Sequence, residues 1–264
     1  MKRYLGIIKN EFMTTLAYRE YLFTTVIGTF CYYLVLYFLW HAIFKSNAGE
    51  IKGMNFSQTF VYLVFAGAIA RCVGGWIEWE MHFDMIEGNT IMKLIKPIDY
   101  QLLMFANKVG SGLPSLVCFG IPTFIIMKFI FPNEIPLGIN TLCFCLTLML
   151  SVVIMFCIEF IVGTVAFYTE SVWGLAMIKE VSMGFFSGVT VPLAFFPDKL
   201  YTVATFLPFK SICNDPLSVL LNDHITLIEF SKVVGFQLMW IVILFVFSKL
   251  LYQKMMKNII VNGG

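Results

Sequence analysis

Long apolar runs, separated by short polar segments, dominate the sequence. Each run has about 20 residues or more, the length with which a helix crosses a hydrocarbon core of about 30 Å. The pattern predicts an all-α polytopic membrane protein with six transmembrane helices. The six predicted spans cover about 21–44, 58–79, 109–131, 139–167, 172–191 and 226–252.

The first 20 residues have a different pattern. Their apolar residues recur mostly at spacings of three and four, with basic and polar residues between them, which is typical of an amphipathic helix at a membrane surface. We therefore divide the chain into a cytoplasmic interface helix, 1–20, and a transmembrane domain, 21–264. The apolar positions of the amphipathic helix are Tyr4, Leu5, Ile8, Phe12 and Leu16.

The segment between the predicted fifth and sixth spans, 192–222, is too apolar for an ordinary aqueous loop and too rich in proline for a straight span. Irregular backbone at membrane depth is tolerated only where it is buried against protein or lines a water-filled cavity. The segment is therefore predicted to form short re-entrant helices.

The composition excludes a water-soluble globule. Hydrophobic residues make up 59% of the chain and charged residues only 13%, against about 25% charged residues in ordinary soluble domains. A net charge of +2 is too small to indicate a nucleic-acid partner. The seven cysteines include no CxxC pair, so buried apolar cysteine is favoured over a metal or redox site.

The distribution of basic residues predicts the orientation, because cytoplasmic segments are enriched in Lys and Arg. One set of alternate segments carries eleven of them and the other carries six. Both termini and the interval 80–108 are therefore predicted to be cytoplasmic, in a multi-pass protein of the cell membrane. The larger set is Lys2, Arg3, Lys9, Arg19, Lys93, Lys96, Lys108, Lys179, Lys249, Lys254 and Lys257; the smaller is Lys45, Lys52, Lys128, Lys199, Lys210 and Lys232.

The motifs of common catalytic sites are missing from the sequence. It contains no GxxxxGK[ST] nucleotide loop, no HExxH and no GxSxG, and its three histidines lie in separate segments. These motifs supply the phosphate cradles, metal ligands and nucleophiles of hydrolases. The chain is therefore predicted not to be an enzyme by itself and to hold no metal or cofactor.

Two charged residues inside predicted spans, Arg71 and Glu159, are candidate functional residues. A charge inside the bilayer is costly and is expected to face the interior of the bundle. The two side chains could form part of a substrate path or a gating ion pair, or they could be one buried pair that fixes helix register.

The interval that follows the second predicted span carries apolar residues at helical spacing, with acidic residues on other faces and a glycine as a helix stop. Such a segment suits a partner surface, although a helix lying passively on lipid is the alternative. The apolar residues are Met81, Met85 and Ile86; the acidic residues are Glu80, Asp84 and Glu87; and the glycine is Gly88.

Two motif regions resemble the type-2 exporter permeases of the ATP-binding-cassette (ABC) transporters. The first, DMIEG at 84–88 followed by LIKPIDY at 94–100, is similar to the E-G and L-x-x-P pattern of their first cytoplasmic loop. The second, SGVTVPLAFFP at 187–197 with FLPF at 206–209 and Asp215-Pro216, is similar to the signature between their fifth and sixth spans.

The resemblance implies particular partners and sites. Such permeases work in pairs, with a second copy or a related permease, and with two nucleotide-binding ATPase subunits that hold ATP and Mg. It implies a coupling helix that meets the ATPase, here with Met81, Asp84, Met85, Glu87 and Gly88. It also implies an extracellular re-entrant gate, here with Gly188, Pro192, Phe196, Pro197 and Pro208.

The expected function is therefore that of the membrane-spanning permease of an ATP-driven exporter. The expected cargo is hydrophobic or amphipathic: a drug, an antibiotic, a peptide or a lipid-linked molecule. Two alternatives stay open, a glycan or polysaccharide exporter permease of the same superfamily and a membrane anchor or sensor subunit that transports nothing. A neighbouring reading frame for an ABC ATPase would favour an exporter over the anchor.

Overall fold

The chain folds almost entirely into helices. The structure is a computed structural model that describes residues 2–46, 50–95, 97–169, 171–222 and 225–256. In these ranges the helices are α1 (Lys2–Ala17), α2 (Arg19–Ser46), α3 (Phe56–Val73), α4 (Ile77–Ile86), α5 (Asn89–Leu94), α6 (Tyr100–Ser115), α7 (Ile121–Ile130), α8 (Ile139–Thr169), α9 (Trp173–Phe186), α10 (Asp198–Phe206), α11 (Lys210–Leu220) and α12 (Leu227–Met256). A two-residue hairpin, β1 (Glu50–Ile51) with β2 (Met54–Asn55), precedes α3.

Five helical segments of the described chain are long and apolar enough to cross a membrane. The predicted all-α polytopic fold class is confirmed. The segments coincide with predicted spans one, two, three, four and six. They are Leu22–Ser46, Phe56–Ile86, Tyr100–Ile130, Ile139–Thr169 and Leu227–Met255.

The predicted fifth span, 172–191, is not one continuous helix. Helix α9 has 14 residues, about 21 Å at 1.5 Å per residue, which is too short to cross a 30 Å core alone. The helix stops because Gly188 takes a φ of +84°, a left-handed conformation that favours glycine. The prediction of six full-length spans is therefore not confirmed: the described residues contain five helical segments of sufficient length, plus this shorter helix and the irregular chain after it.

The second span also differs from its predicted end at residue 79. Helix α3 ends at Val73, where Gly74 takes a ψ of 157° and leaves helical geometry. Helix α4 starts at Ile77, after three intervening residues, and continues to Ile86. The interval 80–108, predicted to be cytoplasmic, consists mainly of helix: most of α4, all of α5 and the beginning of α6.

The third membrane segment stays helical through its two prolines, Pro114 and Pro122. Proline lacks the N–H that the preceding turn would use. A π-helical turn, Leu116–Gly120, joins α6 to α7, and the Ile121 N–H donates to the Leu116 carbonyl. π-Turns of this kind absorb one extra residue inside a longer helix.

Helix α8 lies at the centre of the packing, where it contacts α4, α11 and α12, while α1 packs along α6. The two helices approach closely at Gly110 of α6, where an added Cβ would lie 2.6 Å from the Glu11 Cβ and 2.8 Å from the Ile8 carbonyl. The amphipathic helix is thus fixed to the bundle by helix packing. Its position at a membrane surface stays a prediction.

Contacts between distant residues define two ends of the bundle. At the first end, Lys52 of the hairpin donates to the Phe196 carbonyl at 2.6 Å, and Asn140 donates to the Asn222 carbonyl. At the second end, the rings of Tyr100 and Tyr252 stack with centroids 5.6 Å apart. The second end therefore holds the start of α6 and the last turns of α12.

Candidate functional site

Four charged side chains from four helices meet inside the bundle. Glu78 of α4, Lys108 of α6, Glu159 of α8 and Lys179 of α9 are between 0 and 4% exposed. Lys108 Nζ donates to both carboxylate oxygens of Glu159 at 2.7 and 2.6 Å. Lys179 Nζ donates to Glu78 Oε1 at 2.6 Å and lies 4.0 Å from Glu159 Oε1. We call these four residues the charge cluster.

The charge cluster is electrically balanced, with two cations and two anions. A buried charge is tolerated only when it is paired and hydrogen-bonded, because desolvation costs several kcal/mol per ion. Lys179 also lies 3.0 Å from the half-exposed carboxylate of Glu180. Glu78 Oε2 is buried and has no hydrogen-bond partner within the described part of the chain. Removing any one member therefore leaves an unbalanced buried charge.

Two glycines allow the helices to approach closely enough for these pairs to form. An added Cβ at Gly75 would lie 2.5 Å from Lys108 Nζ and 3.1 Å from Glu159 Oε2. An added Cβ at Gly163 of α8 would lie 3.1 Å from the Cα of Glu78. The chain at the start of α4 thus packs directly against α8, and side chains larger than hydrogen at these positions would separate the two.

The two predicted intramembrane charges have different environments. Glu159 is fully buried, as expected. Arg71 is exposed on this chain and its guanidinium carbon lies 5.3 Å from the centre of the Phe119 ring. The expectation that Arg71 faces the bundle interior is therefore wrong, and Lys108, not Arg71, pairs with Glu159.

Sequence reasoning missed three members of the charge cluster, although a signal was present for two of them. Glu78 lies inside the predicted second span and Lys179 inside the predicted fifth, so both are intramembrane charges by the same criterion as Glu159. Lys108 lies one residue before the predicted third span and was counted only toward orientation.

The predicted coupling residues lie on two faces of α4 and at its end. Met81 and Asp84 are buried, Met85 is half-buried, and Glu87 and Gly88 are exposed. Gly88 has a φ of +74° and turns the chain into α5. The turn brings α5 back toward α4.

An ion-pair group holds α5 against α4. Lys93 Nζ donates to Glu80 Oε1 at 2.8 Å and to Asp84, and Asn107 of α6 donates to the same Glu80 oxygen at 2.7 Å. Burial lowers the pKa of Lys93, but the two carboxylates more than offset this and leave it above its ordinary value of 10.5. These pairs therefore hold α4 and α5 together at neutral pH, and the part of this stabilisation that depends on the Lys93 charge is lost as the pH rises through that elevated pKa.

The outer face of this helix pair is apolar. We call it the exposed apolar face, and its members are the residues of α4, α5 and the following turn with side chains open to the surroundings. Isolated exposed apolar residues are normal, whereas several of them on one short helical hairpin are typical of an interaction surface. The face consists of Phe83 (52% exposed), Ile86 (65%), Met92 (68%) and Ile95 (73%).

The segment after α9 contains the five residues of the predicted re-entrant gate. Gly188 and Pro192 precede a 3₁₀ turn (Leu193–Phe195), Pro197 precedes α10, and Pro208 lies between α10 and α11. Phe196 is buried, and its ring centroid lies 4.9 Å from that of Phe185. The structure thus contains the two short helices, α10 and α11, that the sequence predicts, and their role as an extracellular gate stays a prediction.

Helix α11 is fixed in the bundle by buried polar contacts. The Ser211 carbonyl accepts from Ser151 Oγ at 2.8 Å and from Gln237 Nε2 at 3.0 Å. The Tyr62 hydroxyl donates to Asn214 Oδ1 at 3.2 Å. Because α8, α12 and α3 all contribute partners, α11 is a structural part of the bundle and not a surface loop.

We expect Gly188→Ala to lower the free energy of unfolding by about 1–3 kcal/mol, because a non-glycine residue at positive φ is strained and the added Cβ would collide with the Tyr62 hydroxyl. Thermal unfolding of the purified chain in detergent, followed by tryptophan fluorescence, measures the change. Gly174→Ala in α9, where an added Cβ meets nothing within 4 Å, is the matched control. Equal stability of the two variants would contradict this account.

The fold and the composition define a multi-pass helical membrane protein. A family model described as "ABC-2 family transporter protein" matches residues 30–261. The chain therefore belongs to the ABC-2 transporter family and is an ABC-2-type permease. A comparison with curated proteins found no match. As a membrane transport component, a permease of this family is not itself catalytic.

Proposed function

We propose that this chain is the permease subunit of an ATP-driven exporter that moves a hydrophobic or amphipathic cargo out of the cytoplasm or the inner leaflet. The proposal includes a second permease, identical or related, and two ATPase subunits that bind ATP and Mg. The supporting observation is the construction of α4. Its first turn carries Glu78 of the charge cluster, and its last turn carries Phe83 and Ile86 of the exposed apolar face.

Helix α4 is therefore a short rigid link, about 15 Å long at 1.5 Å per residue. A partner that moves the exposed apolar face also moves Glu78, which is bound to Lys179 of α9. Helix α9 leads directly into the segment that contains α10 and α11. Movement at one end of the bundle could thus reach the other as rigid-body displacement of helices.

Coupling of ATP to the movement requires linkage between ATP binding and the conformation of the complex. ATP would close the two ATPases together and open an outward exit only if the two conformations of the complex bind ATP with different affinity. The chain needs no nucleotide loop for this role, since the ATPases would supply that chemistry. Its own residues would transmit the movement and shape the path.

The arrangement of the two bundle ends supports an orientation with both termini in the cytoplasm of a cell-membrane protein. Lys108 and Lys179 are buried against carboxylates, so they do not count toward the positive-inside rule. The predicted cytoplasmic side then keeps nine basic residues, and the opposite side has six. The last turns of α12 lie beside the start of α6, and α1 packs on the same helix.

The test is purification of the tagged full chain from its native membrane. We expect it to bring down an ATPase with a GxxxxGK[ST] loop, in a complex of two permeases and two ATPases by native mass spectrometry. Recovery of the chain without any ATPase would overturn the proposal and favour the anchor or sensor alternative.

A second measurement tests the direction and class of transport. The complex, reconstituted with its ATPases outside the vesicles, is expected to carry fluorescent amphipathic compounds into the lumen when ATP is added. The same complex with the ATPase loop lysine replaced by alanine is the control. Glycan-linked lipid carried in place of these compounds would favour the polysaccharide alternative.

A further inference from the structure

An apolar groove runs along the outside of the bundle between α2, α3 and α7. Its volume is about 400 Å³, within the range of pockets that bury small ligands. The lining side chains are almost all apolar or aromatic, and six of them represent the elements that form the walls. They are Phe30, Tyr33 and Tyr37 from α2, Phe60 from α3, Phe119 from the π-turn and Ile126 from α7.

A cation lies at one end of this groove. Phe60, Val64, Gly67 and Arg71 follow one another at spacings of four, three and four, so they share one face of α3. Phe60 and Val64 line the groove, and an added Cβ at Gly67 would lie 3.4 Å from the Tyr33 ring. Arg71 continues the same stripe and lies over Phe119.

The guanidinium of Arg71 is available to an external anion. The side chain is exposed, and within the ranges that the structure describes no carboxylate forms an ion pair with it. A cation in a membrane segment normally pairs with another group or reaches the interface. Arg71 lies 15 residues beyond Phe56, about 22 Å along α3, in a candidate membrane span that runs from Phe56 to Ile86.

We propose that the groove binds one acyl chain of an anionic phospholipid, whose phosphate pairs with Arg71. In a membrane the groove opens to lipid rather than to water. Its α2 wall runs from Val26 to Tyr37, about 16 Å, so an extended chain can lie along it. The planar guanidinium suits a phosphate because it donates two parallel hydrogen bonds.

A second copy of the chain fits the groove less well than an acyl chain does. A helix with its side chains is about 10–12 Å wide, and the groove, with a volume of about 400 Å³, has room for only a small part of such a helix. Charge complementarity also favours the lipid, because the site offers a cation without a partner anion. The proposal rests on the multi-pass fold and is independent of the export function.

The experiment uses the full chain in lipid nanodiscs with a phosphatidylglycerol that carries a photoreactive diazirine in one acyl chain. We expect labelled peptides from α2 and α7. Arg71→Gln is expected to reduce this labelling about fivefold, the contribution of one basic side chain at an anionic surface, and Arg71→Lys to keep most of it. Thr123→Trp, which fills the groove from α7, is expected to abolish it.

Two variants serve as matched controls. Phe129→Trp places the same ring on the lipid-facing side of α7, and Lys254→Gln removes an exposed cation from α12; both should leave labelling unchanged. Equal labelling by the phosphatidylcholine analogue, or labelling insensitive to Arg71→Gln and Thr123→Trp, would overturn the proposal. If the wild type took up no lipid label, and if Arg71→Gln and Thr123→Trp both prevented dimer formation, the groove would be assigned to a second copy of the chain.

Discussion

Replacing Lys108 by methionine is expected to lower the free energy of unfolding by about 3–5 kcal/mol, the cost of leaving a fully buried charge without its partner. The affected charge is Glu159, which loses both hydrogen bonds from Lys108. Lys179 is 4.0 Å away and donates its hydrogen bond to Glu78, so it offsets the lost cation only in part. Thermal unfolding of the purified chain in detergent measures the loss.

The double variant Lys108→Met/Glu159→Leu distinguishes charge balance from packing. It removes one cation and one anion, and an apolar pair of similar volume commonly replaces a buried ion pair without loss of stability. We expect its stability to return close to that of the wild type. Lys249→Met, at an exposed position of α12, should change the free energy of unfolding by less than about 0.5 kcal/mol. If the Lys108→Met protein were as stable as this control, the stability of the fold would not depend on the pairing of Lys108 with Glu159.

Replacing Phe83 and Ile86 together by serine is expected to abolish ATP-driven transport while the bundle stays folded. Both side chains are exposed, so the change removes no interior packing. If the exposed apolar face meets an ATPase, the loss of two central apolar contacts should weaken the complex at least about tenfold. Titration of the ATPase against the permease in nanodiscs measures the affinity.

Leu142→Ser, an exposed apolar position near the start of α8, is the matched control and should bind the ATPase normally. The unfolding midpoint of the Phe83/Ile86 variant separates lost binding from lost structure. Normal ATPase affinity together with normal transport in that variant would remove the exposed apolar face from the proposed mechanism, and a helix resting on lipid would then explain its composition.

Run length and composition were sufficient to predict most of the fold. The five membrane-crossing segments follow from long apolar runs, because such a run has no other stable environment. The fifth apolar run was not confirmed as one continuous helix, because hydropathy reports only how apolar a segment is. Residues 172–191 are apolar whether they form one helix or a short helix with a turn, and the positive φ of Gly188 decides between the two.

The charge cluster could be predicted only in part. A charge inside an apolar run is visible in a single sequence, and this criterion identified Glu159. Its partner is 51 residues away along the chain, and the partner of Lys179 is 101 residues away. Which cation faces which carboxylate depends on how four helices are rotated and packed, and a single sequence carries no direct signal of that rotation.

The exposed apolar face could also be predicted only in part. Helical spacing indicates that α4 is a helix, but its packing against the bundle determines which of its residues are buried. Helical spacing grouped Met81, Met85 and Ile86 on one face and placed Asp84 on another, whereas the structure buries Met81 together with Asp84 and exposes Ile86. Spacing could not tell which of these faces α8 and which faces outward. The structure buries Met81 and Asp84, so a partner approaching from outside would meet Phe83 and Ile86 before either of them.

The π-turn at Leu116–Gly120 changes the helical phase of the third segment. In an uninterrupted helix the interior stripe through Pro114 would continue at positions 118, 121, 125 and 129. Instead Ile121, Ile125 and Phe129 are 49, 61 and 88% exposed, and Phe119 and Met127 are buried. The buried positions after the π-turn therefore do not continue the stripe through Pro114, and the buried Phe119 ring lies beneath Arg71.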